Sequence, residues 1–138
     1  MCQRKMVRDM KAITLKQPWA SLVAEGAKKI ETRTHSRFKN LVGQRIAIHA
    51  GKTFELLPLG ALREDHVKKV FKGSNKPLPN GAIVCTAFVK EVRMLTDEDS
   101  YDACCPAAGK FGLILTDVQK VDPPVPARGY QGIWEWIN

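Results

Sequence analysis

The run Lys16-Gln17-Pro18-Trp19-Ala20-Ser21-Leu22-Val23-Ala24-Glu25-Gly26-Ala27-Lys28-Lys29-Ile30-Glu31-Thr32-Arg33 changes its hydrophobic period once, and that change organises the chain. Trp19, Leu22 and Val23 fall at i, i+3 and i+4, the stripe of a short helix over Pro18 to Glu25. Pro18 suits the first turn, where its missing N–H costs nothing, and Gly26 suits the left-handed position that stops a helix. From Lys29 to Thr34 the period becomes two, so Glu31 and Arg33 share one face of a strand and Ile30 and Thr32 the other. An acid beside a guanidinium, with Lys28 at the preceding turn, can read a planar polar heterocycle. A surface ion pair worth under about 1 kcal/mol is the plainer meaning of the same residues.

Outward from this run the remaining elements are short. Ala12 to Leu15 reads as a strand, as does Arg45 to Ala50, with Ile46 and Ile48 on one face and Ala47 and His49 on the other. Gly51-Lys52 is expected to break that strand. A helical region with the stripe Leu62, His66, Val67 and Val70 is expected over Glu55 to Phe71, interrupted near Pro58, and a loop over Lys72 to Gly81. Ala82 to Leu95 is apolar on both faces as far as Ala87, as a central barrel strand requires, and its length calls for a bulge. Thr96 and Asp99 stand at capping-box positions of a short helix that ends before Pro106. Phe111 to Val118 is a strand, Asp122 to Pro126 a stiff polyproline passage, and Ile133 to Ile137 a closing strand. With no alternating β-α rhythm, this inventory argues for an α+β mixed barrel over a parallel sheet.

The 138 residues suffice for one domain that needs no disulfide. Residues 1–10 read as a flexible basic arm and 11–138 as the single domain. Its 44% hydrophobic and 26% charged residues are those of an ordinary globular protein, and no apolar run approaches a membrane span. With no secretion signal, Cys2, Cys85, Cys104 and Cys105 are expected as reduced thiols in a cytoplasmic protein. The 22 basic and 14 acidic residues leave a net charge of +8, which attracts polyanions before any specific contact forms. Nucleic acid is the expected partner; an anionic membrane surface is the weaker one. His35, His49 and His66 lack ligand spacing, so neither a metal nor an organic cofactor is expected.

The opening run, with LPNGAIVCTAFVKEVRML and ARGYQGIWEWIN further on, resembles the ASCH domain family of the PUA-like superfamily from about Lys11 to Asn138. The resemblance implies a PUA-like mixed β-barrel of about five to seven strands with two or three flanking helices, and a nucleic-acid substrate. The expected function is recognition of RNA or a modified nucleotide in a pocket lined by Lys28, Glu31 and Arg33. His49, Gly51 and Lys52 add an imidazole, a close backbone approach and an ammonium at the end of a strand. Tyr130, set between two flexible glycines, adds a stacking platform, and Arg128 before them a phosphate contact. Gln17 and Trp19 are further pocket candidates, Trp19 chiefly as a helix anchor; the basic runs around Arg37 and Lys68 read as solvated faces.

The alternative is a small hydrolase on the same pocket. One form is a ribonuclease with Lys52 as the catalytic candidate. The other is an N4-acetylcytidine-type amidohydrolase, to which Lys28 and Glu31 correspond. The family's amidohydrolases carry a threonine nucleophile where this chain has Glu31, and a tryptophan often stands at the position of His35. An adaptor that binds protein is a second alternative.

Overall fold

The computed structural model describes residues 9–55, 64–71 and 77–137. Six strands form one mixed sheet: β1 (Asp9–Gln17), β2 (Ile30–Arg33), β3 (Arg45–Phe54), β4 (Ala82–Met94), β5 (Phe111–Pro126) and β6 (Trp134–Ile137). Their order is β2-β5-β4-β3-β1-β6. The β1–β3 pair is parallel and the other ladders are antiparallel. No ladder joins β2 to β6 among the described residues, so the sheet is barrel-like without being closed. The helices are α1 (Trp19–Ala24), α2 (Glu64–Phe71) and the single turn α3 (Ser100–Ala103), and 3₁₀ turns span Arg37–Leu41 and Asp97–Asp99. The expected α+β mixed barrel is therefore present.

The period-two pattern decides which side of the sheet is core. Ile13 and Leu15 of β1, with Ile46, Ile48 and Ala50 of β3, join Val84, Val89, Leu113 and Leu115 in the main apolar core, closed by Ala20 and Val23 of α1. The alternate residues Ala12 and Ala47 pack with Ile83 and Trp134 on the opposite side. Register shifts between Ile83 and Cys85, Thr86 and Phe88, and Val89 and Glu91 supply the irregularity that the length of β4 required.

Helix α1 ends as read. Glu25 caps it, and Gly26 takes φ +83°, where an L side chain would be strained. Pro18 stands just before the helix rather than inside it. Downstream, the Thr96 N–H donates to Asp99 Oδ2 at 2.9 Å, the expected capping box, and Arg93 holds the same carboxylate at 2.8 Å.

Four features differ from expectation. β3 does not break at Gly51-Lys52 but runs on to Phe54, because β1 continues alongside it past a register shift and pairs Gln17 with Phe54. The proline passage Asp122–Pro126 is the end of β5, held by the pairs Ile83–Val125 and Ala82–Pro126. A proline at a strand end forfeits few ladder bonds. The loop after β2 contains the 3₁₀ turn Arg37–Leu41, pinned by the buried Phe38 and Leu41. β1 begins at Asp9, so two residues assigned to the basic arm belong to the sheet. The rest of that arm, Cys2, the interruption near Pro58, Leu62, the Val67 side chain and residues 72–76 lie outside the described residues. Among the described residues no helix is long and apolar enough to cross a membrane.

Candidate nucleic-acid interface

Beside the face of β1 and β3 that carries Thr14 and His49 lies an open cleft of about 1490 Å³. The alternation that buries Ile13 and Leu15 turns Thr14 and Lys16 into it; Ile46 and Ile48 likewise leave His49 and Gly51 on its wall. Lys52 and Thr53 follow on β3. Arg33 enters from the end of β2, His35, Arg37 and Phe38 from the turn beyond, and the segment from Pro126 to Ile133 forms the remaining wall. The cationic lining residues are Lys16, Arg33, Arg37, Lys52 and Arg128, joined by the imidazoles of His35 and His49. Among the described residues no aspartate or glutamate lines the cleft.

The wall is held from behind by a chain of hydrogen bonds. His49 is buried, and its Nε2 lies 2.7 Å from the Ala127 carbonyl oxygen. A carbonyl only accepts, so Nε2 carries a proton, and in the neutral ring Nδ1 accepts. The Thr14 hydroxyl, 3.2 Å from Nδ1, is then the donor, and its oxygen receives the Trp134 indole N–H at 3.1 Å. This chain ties β6, β1 and β3 to the loop that carries Arg128 and Tyr130. Tyr130 is 53% exposed and packs edge-on against Trp134, with the Arg128 guanidinium 5.4 Å from its ring centre. It is an amphipathic platform with an open side.

Arg33 is held just as firmly. Its guanidinium lies 4.8 Å over the Phe38 ring, and Nη2 is 3.2 Å from Glu31 Oε2. His35 stacks on the same Phe38 at 5.3 Å. Partial desolvation, then Arg37 and Arg33, hold the His35 imidazole below its ordinary pKa.

Of the residues expected to bind, Arg33, His49, Gly51, Lys52, Arg128 and Tyr130 meet in this one cleft. Lys28 and Glu31 do not line it. Lys28 is buried at 2% exposure, donates to the Ala103 carbonyl, lies 3.8 Å from Glu31 and sits 5.0 Å over Trp19. Glu31, itself buried, lies between Lys28 and Arg33. The expected wall of Lys28, Glu31 and Arg33 thus becomes a buried relay of charge with only its last member in the cleft. Burial explains the correction: an isolated ammonium at Lys28 would be prohibitively costly, so the carboxylate is spent on it and on Arg33.

Gln17 and Trp19 also lie elsewhere. Gln17 is buried, donating to Ser21 Oγ and the Pro79 carbonyl while accepting from the Ser21 N–H; Trp19 donates to Glu55. Sequence reading undervalued Thr14, Lys16, Arg37 and Phe38. Only Arg37 and Phe38 carried a signal, as a basic turn with one aromatic.

Fold and site together define a small barrel-like α+β domain with a cationic, aromatic-edged cleft. The chain belongs to the ASCH domain family, whose model matches residues 13–132. Among solved structures it is similar to an ASCH protein from Zymomonas mobilis at 15% identity, covering 84% of this chain and 72% of that one with a TM-score of 0.49. A serine-to-alanine variant of the same bacterial protein aligns at 16% identity, with the same coverage and TM-score. A tyrosine-to-phenylalanine variant aligns at 14% identity over 86% of this chain and 76% of that one, with a TM-score of 0.48. Comparison with curated protein sequences finds no match.

Proposed function

We propose that this domain binds RNA in the cleft, with phosphates held by Lys16, Arg33 and Lys52 and a base stacked on Tyr130. The observation that carries the reading is the lining itself: among the described residues, five lysines or arginines and no carboxylate. Elsewhere on the surface several cations are matched by acids, as in Lys11–Glu135, Arg45–Asp117 and Lys120–Glu25. Among the described residues Lys16, Arg37, Lys52 and Arg128 have no ion-pair partner. A concave surface of one sign concentrates the opposite charge. Guanidinium forks suit phosphate oxygens, and an exposed ring stacks a base for about 1–3 kcal/mol. Membership of a family often associated with RNA supports the same reading.

The test is fluorescence anisotropy of a labelled single-stranded RNA across a salt series. Affinity is expected to fall with a slope of about −0.7 in log units per phosphate neutralised. Lys52→Ala and Arg33→Ala are each expected to weaken binding and flatten that slope. Binding that ignores salt, or variants that bind as well as the parent, would overturn the proposal.

A second reading is favoured by one feature, the exposed Lys52 ammonium within this cluster of cations. A phosphodiester drawn into the cleft would meet charge able to stabilise the dianionic transition state of its cleavage. Both His49 nitrogens are engaged, so any proton transfer in such a ribonuclease would fall to another group. Intact RNA after prolonged incubation with the parent protein would exclude this reading and leave binding standing. The amidohydrolase form has less support, because Lys28 and Glu31 are buried and ion-paired with each other, and Lys28 donates to the Ala103 carbonyl.

A further inference from the structure

Arg33 and His35 line a second, smaller pocket of about 250 Å³ as well as the cleft, and its other walls are Thr32, Thr34 and Lys110. Among the described residues it too is lined by cations and by no carboxylate; Thr34 brings a hydroxyl, while that of Thr32 faces Cys105 Sγ at 3.7 Å. Its place follows from strand register. β2 and β5 pair antiparallel, with Arg33 opposite Phe111 as the last pair, so Lys110 lies one residue beyond, beside Thr34. The Lys110 backbone is fixed there: its N–H donates to the Ala107 carbonyl at 3.1 Å, and its carbonyl accepts from the Leu95 N–H at 2.8 Å. Among the described residues no acid pairs with the Lys110 ammonium.

We infer that this pocket is a second phosphate subsite, continuous with the cleft through Arg33, so that the ligand is an oligonucleotide spanning both and not a single nucleotide. The inference rests on the RNA-binding reading and extends it. Arg33 stands between the two pockets and offers N–H groups over a broad plane, which lets one guanidinium serve adjacent phosphates. A strand stacked on Tyr130 passes Lys52, crosses Arg33 and ends against Lys110 beside Thr34.

The test compares binding of uridine 5′-monophosphate and of oligouridylates two to six nucleotides long by the parent protein, Lys110→Gln and Lys110→Ala. Lys90→Gln, on β4 outside both pockets, is the control. Parent affinity is expected to climb with length until both subsites are filled. Both Lys110 variants are expected to bind the hexanucleotide several-fold more weakly, with a salt slope shallower by about 0.7, and the mononucleotide unchanged. Circular dichroism and thermal unfolding of each variant confirm that the fold persists. A hexanucleotide bound equally well by parent and both Lys110 variants would overturn the second subsite and leave the cleft proposal intact. Failure of the parent to bind any oligonucleotide would overturn the cleft proposal itself.

Discussion

Gly129 lies so close to His49 that a Cβ built on it would fall 2.5 Å from the imidazole Cε1 and 2.7 Å from Thr14 Oγ1. The loop carrying the exposed aromatic platform therefore sits directly on the hydrogen bond that orients the buried histidine. Only a residue without a side chain allows that approach. The contact makes the cleft wall and the sheet behind it one mechanical unit.

Gly129→Ala is accordingly expected to push the loop off His49 and to lengthen the bond to the Ala127 carbonyl. Overpacking of this kind costs about 1–3 kcal/mol, read as a lowered urea midpoint with an unchanged m-value. RNA affinity is expected to fall as well, since Arg128 and Tyr130 move with the loop. A variant as stable as the parent would show that the loop adjusts at no cost.

The buried Lys28–Glu31–Arg33 relay predicts an asymmetry. Lys28→Ala leaves the Glu31 carboxylate with one cation in place of two and opens a cavity beneath Trp19. Breaking a buried pair from one side costs about 3 kcal/mol. Lys28→Met, which fills the space without the charge, is expected to cost clearly less than Lys28→Ala. Equal losses for the two variants in chemical denaturation would assign the whole effect to charge.

Asp99 supplies a pH signature. Arg93, bidentate on its carboxylate, and the Thr96 N–H hold its pKa down at about 2, against an ordinary value of 3.8. A lowered carboxylate pKa stabilises the fold above the unfolded value, and that contribution is lost as pH falls from about 4 towards 2. Asp99→Asn is expected to lie below the parent at neutral pH and to converge on it near pH 2 in denaturation midpoints. Parallel curves over that window would place the stabilisation elsewhere.

His35 should report cleft occupancy. Its imidazolium is disfavoured by partial desolvation and by Arg37 and Arg33, so its folded pKa lies below 6.5. Acidification through that range therefore costs stability, because the unfolded chain binds the proton more readily. A bound phosphate screens both arginines and is expected to move the titration upward. NMR titration of the His35 Cε1–H with and without RNA checks this; an unmoved midpoint would place the anion away from Phe38.

Thiol reactivity should follow burial. Burial pushes the Cys85 thiol up to about 12 and the Cys104 thiol up to about 11, while Cys105 is half-buried beside the Thr32 hydroxyl. Mass spectrometry after brief alkylation of the folded protein is expected to find Cys105 modified well before Cys85 or Cys104. Early labelling of Cys85 would indicate that β4 opens locally.

Much of the fold could be read along the chain because its cues are local. The switch of period after Gly26 located α1 and β2, and strict alternation in β1 and β3 assigned Ile48 and His49 to opposite faces. Thr96 and Asp99 announced their capping box through spacing alone. β3 beyond Lys52 and β5 through its prolines were harder, since a neighbouring strand supplies the bonds that carry them past a glycine or a proline. Six of the eight residues expected to bind line the cleft: Arg33 ends β2, His49, Gly51 and Lys52 lie within β3, and Arg128 and Tyr130 stand in the loop before β6. Lys28 and Glu31 looked equally suitable, and nothing local distinguishes an ammonium in solvent from one beneath a tryptophan.

Amino-acid order alone settled the alternation of faces, the helix stop and the surplus of positive charge, because each depends on neighbours a few bonds apart. Which cations share a concave wall, and which are neutralised beneath it, was decided only when β2 docked on β5 and the Gly129 loop settled on His49. Those contacts join residues far apart in the chain, and the cost of burying charge then determines which partners each must keep.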